Sequence, residues 1–268
     1  MGHADTAGFR GGIASSIGPN VSQRNIQHEP IAHHIATAID EAPLREDPYC
    51  HFYVENILPE PVFQELLSRL PNPKMYTALN PERWSRPDGT SIRDRFSLAP
   101  ENLDTLSEED QQFWSTFSNA LASKQVKDAV FRKLAPDLAR RFKVGRDTVT
   151  EITSYSHLWL YREIKGYKIE PHPDSREKIV TMMFYLPEDL SQEDLGTSVY
   201  EEQSLWKRLT GSRFKETYRF PFRPNSLMAF AVINQPGRKS WHGRELIETE
   251  CGVRNSILKI YKATETAR

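Results

Sequence analysis

The feature that most restricts the fold is a change of pattern near residue 148. Beyond it, five short segments are rich in β-branched, aromatic and aliphatic residues and are separated by turn residues. These segments are residues 152–161, 178–186, 198–200, 226–232 and 254–261. Because helical segments do not alternate with them, the pattern predicts a β-sandwich or barrel rather than parallel βαβ units.

The preceding half of the chain has a more helical character. Residues 59–67 predict a helix with proline in its first turn, after a short strand at residues 50–54. Residues 106–142 carry apolar side chains at roughly helical spacing, broken by Pro136, and predict two helices. The β part is therefore expected to be buttressed by an N-terminal helical layer.

Two stretches lack a regular pattern. Residues 1–27 are rich in glycine and serine and show little apolar periodicity, which is the composition of a mobile arm. Residues 75–100 are polar, contain several arginines and have no sustained period of either kind. They predict a long loop.

Charge and cysteine content limit the function classes. The 268 residues include 35 Lys and Arg against 36 Asp and Glu, with the two signs interspersed, so no basic face is available to nucleic acid. Two cysteines, Cys50 and Cys251, are too few for a disulfide framework or a cysteine-rich metal site. Without a leader pattern or an apolar run near the ~18 residues of a membrane span, a cytoplasmic protein with no membrane partner is expected.

The segment around His172 is the first candidate for a metal site. Pro171 and Pro173 disfavour a helix there, so the chain is expected to be extended, and residues two apart then point to the same side. His172 and Asp174 can thus bind one ion together. A lone His-x-Asp pair is common by chance, however, and the segment can equally be a simple turn.

His242, just beyond the predicted strand at residues 226–232, offers the third ligand. Two histidines and one carboxylate on one face of an ion leave three positions open, which is the arrangement of non-haem Fe(II) oxygenases. Two alternatives stay open at this point. His242 can be a half-buried histidine with a satisfied hydrogen bond, and the same three ligands also suit the zinc of a hydrolase.

The last predicted strand adds a buried positive charge. Alternation gives one face of this strand four residues: Arg254, Ser256, Leu258 and Ile260. An arginine that points into a barrel is costly unless it meets an anion, and its planar guanidinium suits a carboxylate. A dicarboxylate cosubstrate would supply that anion. An internal salt bridge to a glutamate is the alternative.

Taken in order, these motifs resemble those of the Fe(II)/2-oxoglutarate-dependent dioxygenase superfamily over about residues 48–262, most strongly over 155–262. The family's order is a His-x-Asp pair, a Thr-containing strand ending in Tyr-Leu, a glycine-rich turn, a distal histidine after an apolar strand, and a basic residue. This chain has, in that order, His172 and Asp174, residues 180–187, residues 195–200, residues 227–230 leading to His242, and Arg254 with Ser256. It departs at Gly196-Thr197, where many relatives have Gly-Gly.

The resemblance implies a mainly β fold with flanking α: a double-stranded β-helix, or jelly-roll, barrel. Residues 28–268 would form a single oxygenase domain, with the helical layer mainly at 28–148 and the jelly-roll core at about 149–262. The implied metal is Fe(II), and the implied cosubstrates are 2-oxoglutarate and O2, with release of succinate and carbon dioxide. Because Asp174 is retained, hydroxylation or a related oxidation is favoured over halogenation.

The resemblance also assigns roles around the cosubstrate. Arg254 and Ser256 would hold the distal carboxylate of 2-oxoglutarate. Tyr185 shares an inward face with Thr181 if its strand alternates, so its hydroxyl would reach the same carboxylate. Tyr161, on the strand before the metal pair, is a further candidate, for which ordinary core packing is an equal alternative.

The substrate is expected to be a small molecule, such as an amino acid or another small acid. The polar stretch at residues 75–95 would fold over the barrel mouth and offer donors to a substrate carboxylate. The candidate donors are Arg83, Arg86, Arg93 and Arg95. Solvated loop arginines are the alternative for all four. Hydroxylation of a protein side chain, as in prolyl hydroxylases, and a non-catalytic jelly-roll binding module are the rival functions.

Overall fold

The computed structural model describes residues 27–248 and 252–264. The predicted arm at residues 1–27 lies outside these ranges except for its last residue, and so does Cys251. The helices are α1 (His28–Glu41), α2 (Glu60–Ser68), α3 (Pro81–Trp84), α4 (Pro100–Leu103), α5 (Glu108–Ala122), α6 (Lys124–Lys133), α7 (Ala135–Phe142) and α8 (Leu205–Thr210). Short 3-10 helices lie at Pro73–Met75, Val149–Glu151 and Leu190–Leu195. Within the described ranges, no helix has both the length and the apolar character needed to span a bilayer.

The strands form two main antiparallel sheets. They are β1 (Leu44–Arg45), β2 (His51–Glu55), β3 (Thr77–Ala78), β4 (Arg93–Ser97), β5 (Ser154–Glu163), β6 (Ile169–His172), β7 (Lys178–Tyr185), β8 (Ser198–Glu202), β9 (Phe214–Arg219), β10 (Ser226–Ala231), β11 (Asn234–Gln235), β12 (Arg238–Lys239), β13 (His242–Arg244) and β14 (Arg254–Ala263). The large sheet has the order β1-β2-β10-β7-β14-β5-β4-β3, and the small sheet has the order β6-β13-β8-β9. Among the described strands, β11 pairs with β12 alone.

The five strands predicted after residue 148 are present as β5, β7, β8, β10 and β14. Helices and strands take similar shares of the described chain, so the fold is mixed helix and antiparallel sheet rather than mainly β. Among the described residues, no strand pairing joins the two sheets into a closed barrel. Side chains hold the sheets together instead, because Tyr185 and Met228 of the large sheet pack with Val199 of the small sheet and with Phe222.

The helices cover the opposite face of the large sheet, as the predicted helical layer requires. Ile257 and Tyr261 of β14 belong to the helix-facing core, together with the buried Trp114 of α5. Tyr261 meets Phe131 of α6 edge to face, with ring centroids 5.3 Å apart. Because side chains alternate along β14, its other face is left to line a site between the sheets.

The segment predicted as a long loop contains regular structure in both halves, so that prediction is wrong. Within residues 75–100 the chain forms β3, α3 and β4, and β4 pairs with β5, with Arg93 opposite Glu163 and Phe96 opposite Leu160. Phe96 is the one fully buried residue of β4. The strand was hidden in the sequence because most of its side chains are polar, so no apolar alternation marks it.

Residues 106–142 form three helices, α5 to α7, rather than the two predicted. Ser123 ends α5 and caps α6, since its hydroxyl accepts a hydrogen bond from the Val126 amide. Pro136 lies in the first turn of α7, where a backbone N–H is not needed for the helix. The boundary between α5 and α6 is therefore set by a polar capping residue, which the spacing of apolar residues does not reveal.

One lysine is buried between the large sheet and the helices. Lys259 of β14 shares its face with Ile257 and Tyr261 and is only 1% exposed. Its Nζ lies 3.0 Å from the Ser156 hydroxyl and 4.6 Å from the centre of the Tyr261 ring. Burial lowers the pKa of Lys259 from 10.5 to about 7, because the charged ammonium loses its hydration.

We expect Lys259→Met to raise the free energy of unfolding at pH 7. Between about pH 7 and 10.5 the unfolded lysine binds a proton that the folded one does not, so wild-type stability rises with pH, by at most about 1.4 kcal/mol per pH unit. The advantage of the variant should therefore shrink as pH rises. Urea unfolding at several pH values measures this, with exposed Lys215→Met as the control; a pH-independent difference would contradict it.

Candidate metal centre

Pairing of β6 with β13 in the small sheet brings the two predicted histidines together. His172, the last residue of β6, lies directly opposite His242, the first residue of β13, and their ring centroids are 4.4 Å apart. Asp174 follows β6 by two residues and reaches the same point. The ligating atoms of the three side chains lie within 4.8 Å of one another. The structure thus assembles the group that the sequence predicted.

Hydrogen bonds to the backbone orient both imidazoles. Nδ1 of His172 lies 2.9 Å from the Glu170 carbonyl oxygen, and Nδ1 of His242 lies 2.9 Å from that of Ser240. Because a carbonyl only accepts, each Nδ1 carries the proton and each Nε2 keeps its lone pair for a metal. Burial lowers the pKa of His172 and lowers that of His242 to about 4, so both rings are neutral at pH 7.

The carboxylate of Asp174 is buried and held by two donors. The Thr181 hydroxyl donates to Oδ2 at 2.6 Å, and the Lys178 ammonium donates to Oδ1 at 2.5 Å. Burial would raise the pKa of Asp174, but the interactions with His242, Lys178 and Thr181 outweigh it and lower the pKa to about 2. Asp174 is therefore an anionic ligand at neutral pH.

These three side chains fit a divalent transition metal. Ligand atoms about 2.1 Å from one ion are at most about 4.2 Å apart, so modest side-chain rotations from the present spacing would complete the site. Two neutral imidazoles and one carboxylate on one side leave positions open for other ligands, as in non-haem Fe(II) sites. A simple turn at His172 and an isolated histidine at His242 do not account for their meeting at one point.

The three ligands line a cavity of about 310 Å³ between the sheets. Part of its wall is apolar and is formed by Trp159, Leu258 and Ile260. Along β14, Ile260 pairs with Thr181 beside the metal ligands, and Arg254 lies at the other end of the same face. This end, termed the arginine end, is lined by Arg93, Arg244, Arg254 and Glu163. A metal site and a basic region therefore share one cavity.

Arg254 is 1% exposed and already paired. Its Nη1 donates to Glu163 Oε2 at 2.6 Å, and its Nε donates to the Leu195 carbonyl oxygen at 2.8 Å. The guanidinium also lies 4.2 Å from the centre of the Phe222 ring. The internal salt bridge that the sequence left open is thus present, and the binding of a cosubstrate carboxylate by Arg254 stays a prediction.

Arg244 and Glu163 were missed by the sequence analysis. Arg244 is 4% exposed, and its Nε and Nη2 have no hydrogen-bond partner among the described residues. Burial, followed by the nearby Arg254, lowers the pKa of Arg244 to about 10, so it remains charged at pH 7. Its position two residues after His242 was the one hint in the sequence, but no strand was predicted there, so the hint could not be used.

The three other predicted cosubstrate residues have different surroundings. Tyr161 lines the cavity, with the Arg93 guanidinium 4.6 Å from its ring centre. Ser256 pairs with Tyr161 and Tyr185 in the sheet, and its buried hydroxyl has no partner among the described residues. The Tyr185 hydroxyl accepts from the Thr197 amide at 3.1 Å, in the apolar cluster between the sheets. Their roles toward a cosubstrate stay predictions.

Of the four arginines predicted to contact substrate, only Arg93 lines the cavity. It does so at the arginine end, where its Nε forms an ion pair with Glu163 Oε1 at 3.2 Å, without the alignment of a hydrogen bond. Arg83 lies over the Trp84 ring, and Arg86 donates to the Lys165 carbonyl oxygen. Arg95 lies along a neighbouring groove that also contacts Trp159.

Replacement of His172 by alanine should abolish tight metal binding, because it removes one of three ligands. We expect the Fe(II) affinity to fall more than about 100-fold, beyond the effect of losing an outer hydrogen bond. Anaerobic Fe(II) titration measures the loss, with the exposed His33→Ala as the matched histidine control. An unchanged affinity would remove His172 from the site.

Thr181→Val tests the support of Asp174 with little change in side-chain volume. Because the Thr181 hydroxyl holds Oδ2, its loss should weaken metal binding by about 10- to 100-fold while the fold is kept. The same titration measures the effect, and circular dichroism checks the fold. Thr217→Val, which removes a hydroxyl bonded only to a backbone carbonyl, should bind metal normally. Equal affinities of both variants would contradict the role of Thr181.

Comparison with known proteins finds similarity of structure but not of sequence: no protein-family model and no curated protein matches the chain. The 2-oxoglutarate complex of dioxygenase for auxin oxidation 1 from Arabidopsis thaliana aligns with a TM-score of 0.52 at 14% identity, covering 90% of this chain and 91% of that one. A prolyl-4-hydroxylase from Pseudomonas putida aligns at 0.51 and 11% identity, covering 86% and 99%. The chain therefore has the fold of the 2-oxoglutarate-dependent Fe(II) oxygenases.

Proposed function

We propose that this protein is an Fe(II)- and 2-oxoglutarate-dependent oxygenase that hydroxylates a small molecule. The observation that carries the proposal is the cavity itself, which joins the His172, Asp174 and His242 group to a basic region. A keto-diacid uses both the metal site and the basic region, because its keto-acid end chelates a metal and its other carboxylate pairs with a cation. A zinc hydrolase with the same ligands would have no need of the arginine end.

The chain's residues would hold and orient the reactants. His172, Asp174 and His242 bind the metal, with Thr181 and Lys178 fixing the carboxylate. With Fe(II), 2-oxoglutarate and O2 bound, the site supplies an oxidation that inserts oxygen into a substrate C–H bond and releases succinate and carbon dioxide. The donor set agrees with this assignment, since neutral imidazoles and a carboxylate suit ferrous iron.

The distal carboxylate of the cosubstrate would lie at the arginine end, which the sequence predicted from Arg254. This region combines three guanidinium groups with the one carboxylate of Glu163. Its positive excess lies on side chains that are largely buried, which favours an anion strongly. Tyr161, which lines the cavity, and Ser256, its partner on β14, stay proposed as neighbours of that carboxylate.

The substrate would be a small acid or another small molecule, with Trp159, Leu258 and Ile260 forming its apolar wall. The cavity volume of about 310 Å³ lies at the lower end of small-molecule sites, and the cosubstrate occupies part of it. Only a compact substrate group can therefore reach the metal. A side chain of a peptide meets the same size limit, so protein hydroxylation is the rival that the experiment must separate.

Anaerobic titration of the protein with Fe(II) and 2-oxoglutarate should produce a visible charge-transfer band. Addition of O2 and a library of small acids should then release succinate together with a hydroxylated metabolite, detected by mass spectrometry. His172→Ala should give neither the band nor succinate, whereas His33→Ala should give both.

Three outcomes would contradict the proposal. Binding of 2-oxoglutarate without succinate for any metabolite or peptide would indicate a non-catalytic module. Succinate release with proline-containing peptides alone would assign protein hydroxylation. Zinc-dependent turnover that N-oxalylglycine, a 2-oxoglutarate mimic, does not inhibit would indicate a hydrolase.

A further inference from the structure

Trp159 of β5 borders two separate spaces. One is the cavity that contains the metal ligands, and the other is a groove of about 280 Å³ at the β3–β4 edge of the large sheet, termed the edge groove. Besides Trp159, the edge groove is lined by Met75, Thr77, Arg95, Phe96, Ser97 and Asn102. Trp159 is the one described residue that lines both spaces. A ligand that crosses Trp159 would therefore occupy the groove and the cavity together.

The indole of Trp159 is held by a row of rings along β5. The His157 imidazole stacks on it, with the ring centroids 5.0 Å apart and the planes 17° apart. Tyr155 in turn meets His157 edge to face at 5.3 Å. Neither His157 nor Tyr155 lines the cavity or the groove, so the part of the indole that is not stacked borders both spaces. This fixed, half-buried indole offers a flat apolar surface to a planar ligand.

The edge groove carries one positive charge and no negative one. Arg95 is the one ionisable residue among those that line it, and its side chain is exposed. Arg95 lies opposite Tyr161 and Ser97 lies opposite Trp159 in the β4–β5 pair, so the guanidinium and the indole belong to the same face of the sheet. A single guanidinium balances a monoanion, and its planar donors match a carboxylate.

The spacing of the strands sets the length of a ligand that spans both spaces. β4, β5, β14 and β7 are successive neighbours in the large sheet, and Thr181 of β7 holds the metal ligand Asp174. Three strand spacings of about 4.8 Å each separate the groove from the metal end by about 14 Å across the sheet. Trp159 and Leu258, which pair with each other, lie on the two strands between. A spanning ligand must therefore be elongated.

We propose that the substrate is an elongated acid with a planar ring: its carboxylate pairs with Arg95 in the edge groove, its ring lies on Trp159, and the C–H group at its far end enters the metal cavity. This inference rests on the proposed function and narrows the substrate to one chemical class. It also agrees with the cavity of about 310 Å³, which the cosubstrate shares, because the acid end of the substrate stays outside. Arg95 and Trp159 are thus specificity-determining residues.

The first test measures binding and needs no turnover. Biphenyl-4-carboxylate is the probe, and biphenyl-4-carboxamide is its uncharged isostere. Calorimetry gives both Kd values for the full chain with Fe(II) and 2-oxoglutarate in the absence of O2. We expect the acid to bind about 10-fold more tightly, at the lower end for a hydrogen bond to a charged group. Arg95→Met should abolish this preference without weakening the amide, and Arg95→Lys should keep part of it.

Variants of Trp159 separate the ring contact from the charge. Trp159→Leu should weaken the acid and the amide alike, by about 3- to 10-fold, because the flat contact is lost while Arg95 remains. Trp159→Phe should recover part of the loss. Arg219→Met and Trp206→Leu are the matched controls, since neither residue lines the cavity or the groove, and both variants should bind as the wild type does. Melting temperatures check that every variant is folded.

The second test determines the orientation of the bound probe. High-spin Fe(II) is paramagnetic and broadens the NMR signals of nearby nuclei, so a fluorine is placed either beside the carboxylate or at the para position of the outer ring. With Fe(II) bound, the fluorine on the outer ring should broaden more than the one beside the carboxylate. With diamagnetic Zn(II) in place of Fe(II), neither signal should broaden.

The outcomes separate this inference from the proposed function. If the wild type does not prefer the acid to the amide, or if Arg95→Met keeps that preference, the edge groove is not the acid site and the inference is wrong. Stronger broadening of the fluorine beside the carboxylate would also overturn it, because the ligand would then lie the other way round. The proposed function fails on a different result, which is the absence of succinate release by the wild type with any substrate.

Discussion

The pairing of β6 with β13 is the interaction on which the site depends. It sets His172 opposite His242, and it requires glycine at position 243, where a Cβ would lie 2.7 Å from the Ile169 carbonyl oxygen. Any side chain there would force the two strands apart and separate the imidazoles. Because paired strands are stiffer than loops, the metal ligands are held before a metal arrives, which is what a preorganised site needs. Asp174 alone lies beyond the strand, and Thr181 and Lys178 hold it from β7.

Side chains alternate along β14, so that one face of the strand packs against the helices and the other faces the cavity. A lysine is buried on the first face and an arginine on the second. Lys259 faces the helices, where burial lowers its pKa to about 7 and lets it shed its charge. Arg254 and Arg244 border the cavity, and Arg244 stays charged at pH 7 because its pKa of about 10 remains far above that value. A buried lysine is tolerated in a core because it can lose its proton. For the same reason it binds an anion weakly there. An arginine keeps its charge available for an anion.

The sequence predicted the parts whose signal is local. Prolines on both sides of His172 indicated an extended segment, and period two then aligned Asp174 with it. β5, β7, β8, β10 and β14 were visible because their side chains are mostly apolar, whereas β6 and β13, which carry the two histidines, were not predicted as strands. β4 was missed because its side chains are mostly polar, and Arg244 was missed because nothing in a single strand shows that a charge lacks a partner. Pairing depends on the three-dimensional structure. Arg254 donates to Glu163, ninety-one positions away, whereas Nε and Nη2 of Arg244 have no hydrogen-bond partner among the described residues.

The same reasoning explains how one cavity can select a ligand with two acidic ends. Among the described residues that line the metal end, Asp174 is the only one with a carboxylate, and Lys178 already balances its charge. A bound divalent ion therefore brings positive charge that an incoming keto acid would offset. At the arginine end, one carboxylate faces three guanidiniums. The apolar wall of Trp159 and Leu258 between them lowers the local dielectric constant, which strengthens both attractions and favours a ligand that satisfies both ends at once. A monoacid would leave one end unpaired, and the cost of that unpaired charge is the basis of selectivity.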